Sequence, residues 1–154
     1  MSESDRLDRL EAIEEIRRLK ASYCHWADRG YESAGDDAKG FAGLFAEDAV
    51  WTGGKGVPVV GRAAIEAHYS SFRPFCMHFA TNGVIDVDGD HATGRWHVLS
   101  AQTSHEGRAI WIAGTYDEEY VKTAEGWKFK TVQFHLAFRT PYDEGWASTP
   151  HVDY

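Results

Sequence analysis

The sequence predicts an α+β domain: a curved antiparallel sheet wrapped around a long amino-terminal helix, with two shorter helices beside it. Three observations carry this. Apolar residues recur every three or four positions through the first thirty residues. A middle section punctuated by Gly and Pro holds two shorter helix-like segments. From Cys76 onward the period drops to two and stays there through four long segments separated by short turns. Such a meander must bury one face against the helices. Curved around a helix, it makes a cone whose open end is a pocket.

Residues 5–28 carry Leu7, Leu10, Ile13, Ile16, Leu19, Tyr23 and Trp26 with Arg, Lys and Glu between them, the pattern of one amphipathic helix. Gly30 marks its end. Residues 36–49, DDAKGFAGLFAEDA, read as a short second helix with Phe41, Leu44 and Phe45 on one side. AVWT then reads as a first strand and GGKG, 53–56, as a flexible turn without the spacing of a phosphate-binding loop. Residues 59–72 read as a third helix stopped by Pro74. Four strands follow, at 76–87, 91–104, 108–122 and 127–139, joined by DVDGDH, SHEGR and TAEGW, each with a turn glycine. The tail from Pro141 reads as a loop or a short docking extension. Neither a repeat nor a second domain is expected, so residues 1–154 form one domain with a tail at 141–154.

Composition narrows the function. Hydrophobic residues make up 43% and aromatics 14% of 154 residues, a chain able to bury a core. A net charge of −8 argues against nucleic acid and anionic lipid as partners. No apolar run reaches membrane-spanning length and the charged start lacks an apolar signal core, so the expected compartment is the cytoplasm. Cys24 and Cys76 are expected to be buried free thiols rather than a disulfide. Neither a metal site nor a nucleotide cofactor is expected.

The chemistry-bearing stretch is YCHWADRG, Tyr23–Gly30. A solvated helix end has no need of its aromatics, and a plain core would not select Asp28. In CMHFATNGVIDV, alternation puts Met77, Phe79, Thr81, Gly83 and Ile85 on one face and His78, Ala80, Asn82 and Val84 on the other. His78 thus looks into a half-buried space. An imidazole takes up protons near neutral pH, and a carboxylate on its other nitrogen fixes the tautomer and stabilises the imidazolium. Asp28 and His78 can meet at the cone mouth. The competing readings are a structural His78 and an Asp28 that is solvated or caps a neighbour.

Strand parity supplies candidate pocket residues: Trp96 with Val98, Ile112 with Tyr116, and His135 on the last strand, where it can equally be a surface or interface histidine. Trp51 and Phe45 are placed to close the mouth. This aromatic lining suits a flat, apolar, cyclic molecule, although core packing accounts for any one of these residues.

From Leu7 to Arg139 the chain resembles the SnoaL-like branch of the nuclear transport factor 2-like superfamily, whose fold is the cystatin-like α+β barrel. Within it, the chain is most similar to the group containing scytalone dehydratase, bile-acid 7α-dehydratase and hexachlorocyclohexane dehydrochlorinase. The matching stretches are EAIEEIRRL…YCHWAD, MHFATN, IAGTYDEEY and EGWKFKT. The resemblance implies a lyase without a cofactor. His78 is then the base that removes a carbon-bound proton, Asp28 its orienting partner, and Tyr23 a donor to a departing hydroxyl or an activating carbonyl; the alternative for Tyr23 is a core aromatic. It also implies a homodimer or homotrimer. Two departures stand out. Val132 occupies the place of the dehydrochlorinase arginine, which argues against dehydrochlorination. The second histidine of scytalone dehydratase has a counterpart only in His97, whose face is ambiguous. The alternatives are an isomerase or polyketide cyclase of the same fold, or a non-catalytic binding protein or subunit.

Overall fold

The computed structural model describes residues 2–30, 37–70 and 75–153. Helix α1 spans Glu3–Ala27, α2 Ala38–Ala42 and α3 Arg62–Ser70. The strands are β1 Phe45–Thr52, β2 Pro58–Val60, β3 Cys76–Asp88, β4 His91–Thr103, β5 Ala109–Thr123 and β6 Gly126–Pro141. They form one curved sheet in the order β2-β1-β6-β5-β4-β3, antiparallel except where β1 runs parallel to β6. No helix is long and apolar enough to cross a membrane among the described residues.

Helix α1 starts with a capping box. The Asp5 backbone N–H donates to Ser2 Oγ and the Ser2 N–H donates to an Asp5 carboxylate oxygen, which satisfies two otherwise orphaned donors. Its buried side is Ala12, Ile16, Leu19, Lys20, Tyr23 and Ala27. Leu7 and Leu10, expected on that side, are exposed. The helix ends at Ala27, three residues before the glycine expected to stop it.

The segment read as a second helix over 36–49 is largely not one. Residue 36 lies outside the described residues, and the helix occupies only Ala38–Ala42, capped by the Asp37 side chain. From Phe45 the chain is β1, with Phe45 and Ala49 buried in the core. The 59–72 helix begins at Arg62, since 58–60 form the edge strand β2; residues 71, 72 and Pro74 lie outside the described residues. The four long strands fall within two residues of their expected bounds.

Inside the strands, bulges change the parity. The β3–β4 register shifts between Thr81 and Val84, where Asn82 adopts φ 53°, a left-handed conformation that Asn tolerates better than most residues. His78 and Ala80 share the inner face before this bulge, and Gly83, Ile85 and Val87 share it afterwards, so Ile85 is not on the Met77 face. Gly83 has to be glycine, because a Cβ there would stand 2.2 Å from the Trp96 ring. The tail is anchored: the Arg139 N–H donates to Pro150 O, the Val152 N–H donates to Arg139 O, and Trp146 stacks on Phe138. Both cysteines are free, Cys76 buried and Cys24 half-buried.

Candidate active site

The geometry of the site is set by where α1 ends. Its final residues hand over to an extended Asp28, and Arg29 then forms a two-way backbone bridge with Cys76, with N–O distances of 2.9 and 3.1 Å. That bridge fastens the end of the helix to the start of β3. One residue back from Arg29 is Asp28, and two residues on from Cys76, on the same inner face, is His78. One Asp28 carboxylate oxygen accepts both the His78 backbone N–H and the His78 ring Nδ1, each at 2.8 Å. The histidine side chain is 10% and the aspartate side chain 20% exposed. With the carboxylate ionised, Nδ1 carries the proton and Nε2 keeps its lone pair. No protein group bonds Nε2 among the described residues.

His78 borders a cavity of about 160 Å³, together with Tyr23, Trp51, Tyr69, Ser100, Tyr116 and Arg139 among others. An apolar cavity of ~150 Å³ accepts one benzene-sized molecule, so the space suits a single ring. Opposite His78 in register stands Ser100, 2% exposed, whose hydroxyl accepts from the Gln102 side chain at 3.0 Å. The Trp51 indole N–H donates to the Tyr23 hydroxyl at 2.9 Å. Tyr69 and Tyr116 are also hydrogen-bonded to that hydroxyl. Burial pushes the Tyr23 and Tyr116 phenols well above their ordinary pKa, so both stay protonated donors. Beneath them, the Lys20 ammonium lies 4.2 Å from the Tyr23 ring centre and 3.7 Å from that of Tyr116. It pairs with the buried Glu118 carboxylate, which also accepts from Tyr120, and the Trp96 indole donates to the Tyr120 hydroxyl.

The structure brings together Asp28, His78, Tyr23, Val98, Ile112, Tyr116 and Trp51. It does not bring Phe45, Trp96 or His135 to the cavity wall. Phe45 is in the core, 5.2 Å between ring centres from both Phe41 and Phe129. Trp96 bonds Tyr120 in the sealed network one β4 repeat below Val98. His135 is half exposed and pairs with Asp117 at 3.0 Å on the outer surface. His97 faces outward as well.

Sequence reading missed Tyr69, Gln102, Phe134, Arg139 and the pair Gly53–Gly54, all of which line the cavity. Gln102 could have been found by continuing the Val98–Ser100 alternation. Arg139 could not, because β6 shifts register against β5 at two places. These bulges move the inner face from Trp127 and Phe129 to Val132 and Phe134, and then to Arg139, which pairs with Ile112. The cation sought at Val132 is therefore absent there, where the side chain is core, but the cavity has one at Arg139. GGKG is more than a turn: a Cβ on Gly54 would come within 2.7 Å of the Arg139 Nη2, and one on Gly53 within 2.4 Å of the Trp51 ring.

Residues 8–133 match the SnoaL-like domain. The chain belongs to the SnoaL-like family. Its architecture is the nuclear transport factor 2-like, cystatin-like cone. Solved structures that it resembles include a candidate aromatic ring hydroxylase from Novosphingobium aromaticivorans, 27% identical, covering 86% of this chain and 94% of that one, with a TM-score of 0.74. A candidate scytalone dehydratase from the same organism is 25% identical over 86% of this chain and 89% of its own, with a TM-score of 0.75. The hexachlorocyclohexane dehydrochlorinase LinA-type3 from Novosphingobium barchaimii is 25% identical over 88% and 92%, with a TM-score of 0.76. No curated protein sequence matches the chain. Membership of this family, with dehydratase- and dehydrochlorinase-like structural neighbours, supports a lyase-type or isomerase-like role.

Proposed function

We propose that this SnoaL-like protein is a lyase that needs no cofactor, in which His78 removes a carbon-bound proton and a neighbouring carbon loses water or another leaving group. The observation that carries this reading is the double use of one Asp28 oxygen, which binds Nδ1 and the backbone N–H of His78 and leaves Nε2 beside a ring-sized cavity. In the proposed step Nε2 accepts the proton, the C–H electron pair becomes the new double bond, and the leaving group departs with its own bonding pair. For a hydroxyl, the proton taken by His78 passes to the departing oxygen, so that the products are an alkene and water. Asp28 stabilises the imidazolium formed in between. Tyr23, held by Trp51 and kept protonated by burial, is positioned as the donor to a substrate oxygen.

A second reading is favoured by one observation, the convergence of the Tyr23, Tyr69 and Tyr116 hydroxyls. Such donors stabilise an enolate without anything leaving, which makes an isomerase. A non-catalytic subunit is disfavoured by the cavity, since a merely structural His–Asp pair has no use for one.

The test is a panel of single-ring β-hydroxy ketones, assayed for enone formation and, in D2O, for deuterium at the carbon next to the carbonyl. Enone formation that falls at least about 10²-fold in His78→Ala, with the variant still folded, is the expected result. Deuterium incorporation without elimination selects the isomerase. Undiminished turnover in His78→Ala removes the dyad from the mechanism.

A further inference from the structure

The chain carries a net charge of −8, with 24 acidic residues against 16 Lys and Arg. Its site runs against that balance. The His78 cavity adjoins a second depression of about 180 Å³, and the two share Gln102, Ile112 and Arg139 in their walls. The second is also bordered by Lys55, Thr103, Ser104 and His105. Among the described residues no Asp or Glu lines either space, whereas depressions elsewhere on the molecule are lined by Asp86, Glu118 and Glu119 or by Asp5, Asp8 and Glu11. Arg139 stands where the two spaces meet, half-buried. Neither it nor Lys55 has a carboxylate or other side-chain partner among the described residues. Three other buried or half-buried basic side chains make the contrast: Arg62 is held by Glu47 and the Phe45 carbonyl, Lys20 by Glu118, and Lys128 by the Gly43 carbonyl and Glu125.

A guanidinium left unpaired in a concave wall is prepared for a ligand that brings its own negative charge. Its position is built rather than incidental. The two β6 bulges turn Arg139 inward. The tail bonds its backbone on both sides through Pro150 and Val152. Gly54 lies over its Nη2, and the same loop carries Lys55 one residue on.

We propose that the substrate is anionic: a ring-sized body seated beside His78, bearing a carboxylate or phosphate that Arg139 binds at the junction, with Lys55 as the second cation. This deepens the lyase reading by naming the substrate class, and it departs from the apolar ligand expected from the sequence. It also assigns the GGKG loop to recognition: the glycines let the backbone approach Arg139 and Trp51, and the lysine supplies charge.

Calorimetric titration of benzoate, phenyl phosphate and benzamide into the full chain, at low and at physiological salt, tests this directly. Benzamide matches benzoate in shape and lacks the charge. At least one of the two anions is expected to bind about tenfold or more tightly than benzamide and to weaken with salt, and the tighter anion identifies the natural group. Arg139→Gln should abolish the preference over benzamide, and Lys55→Gln should reduce it. The same titrations in His78→Ala keep the two ideas separate. Anion preference that survives in His78→Ala upholds this assignment even if the variant turns over substrate normally and the dyad reading fails. Benzamide binding as tightly as both anions, no binding of any of the three, or an anion preference unchanged in folded Arg139→Gln would each overturn it.

Discussion

Helix α1 delivers two charged side chains to the interior eight residues apart, Lys20 and Asp28, and the two regions they build are instructive opposites. Around Lys20, every polar group is used. Its ammonium meets Glu118, the second oxygen of Glu118 meets Tyr120, and the hydroxyl of Tyr120 accepts from Trp96. Both charged side chains are at most 1% exposed. Around Asp28 the ingredients are similar, a carboxylate and a basic nitrogen with phenols nearby, but the accounting stops one bond short. The ring's Nε2 and the Arg139 guanidinium are left for something that the chain does not itself contain. A buried polar network that is fully satisfied fixes structure; one with unsatisfied groups around a cavity is a site. Residue types alone do not separate the two.

The comparison can be broken from either side. The largest effect is expected at the open pair: once a substrate is in hand, His78→Ala should lower turnover by about 10²–10⁴-fold, and Asp28→Asn by about 10²-fold or more through loss of the tautomer, with little change in melting temperature. Next comes the sealed pair. Lys20→Met should cost roughly 3–5 kcal/mol, because the Glu118 charge is left buried and uncompensated. Thermal melts would register this as a Tm drop on the order of 10 °C. Replacing both partners, Lys20→Met with Glu118→Leu, should recover much of it. A Lys20→Met protein with unchanged stability would show that the cluster does not fix the structure.

Tyr23 lies between the regions, over Lys20 and under the cavity. Tyr23→Phe should lose about 1–2 kcal/mol of stability as the Trp51 N–H loses its acceptor, and should lower kcat more than it raises KM. An equal loss of stability with unaltered kcat would make it a core aromatic only.

The smallest effect is in the alkaline limb. Burial raises the phenols of Tyr23 and Tyr116, and burial beside Glu118 raises that of Tyr120. Acids whose folded pKa lies above the unfolded value of ~10 contribute stability that is complete below pH ~10 and declines as pH rises further. Melts from pH 8 to 11.5 should be flat up to that point and then fall. Ultraviolet titration should find these phenols silent until the chain unfolds.

The fold was readable because its strongest signals are long ones. Twenty-five residues of helical spacing and four long alternating strands each repeat their message many times. Short elements were not. FAGLF, 41–45, carries a helix-like Phe41–Leu44–Phe45 cluster, and only pairing with β6 makes Phe45 a strand residue. Asp28 and His78 were legible because each lies at the end of a long element, where alternation and helix length fix position with little accumulated error. His135 and Arg139 were misplaced or missed for the opposite reason. Bulges in β3 and β6 change the inward residues, and each bulge is a single extra residue with no strong signature of its own. Phe45, expected at the cavity mouth, and Trp96, expected on the cavity wall, show a different limit: both are buried in the core, and apolar character with the right parity does not distinguish cavity wall from core.

Whether Asp28 holds His78 with its lone pair toward the cavity can be measured without knowing the substrate. The measurement is the ¹⁵N chemical shifts and ring-proton couplings of the His78 imidazole at pH 8, in the wild-type chain and in Asp28→Asn. The Nδ1–H tautomer with Nε2 unprotonated is expected in the wild type, and a loss of that preference in Asp28→Asn. A wild-type His78 protonated on Nε2, or a tautomer unchanged by Asp28→Asn, would contradict it.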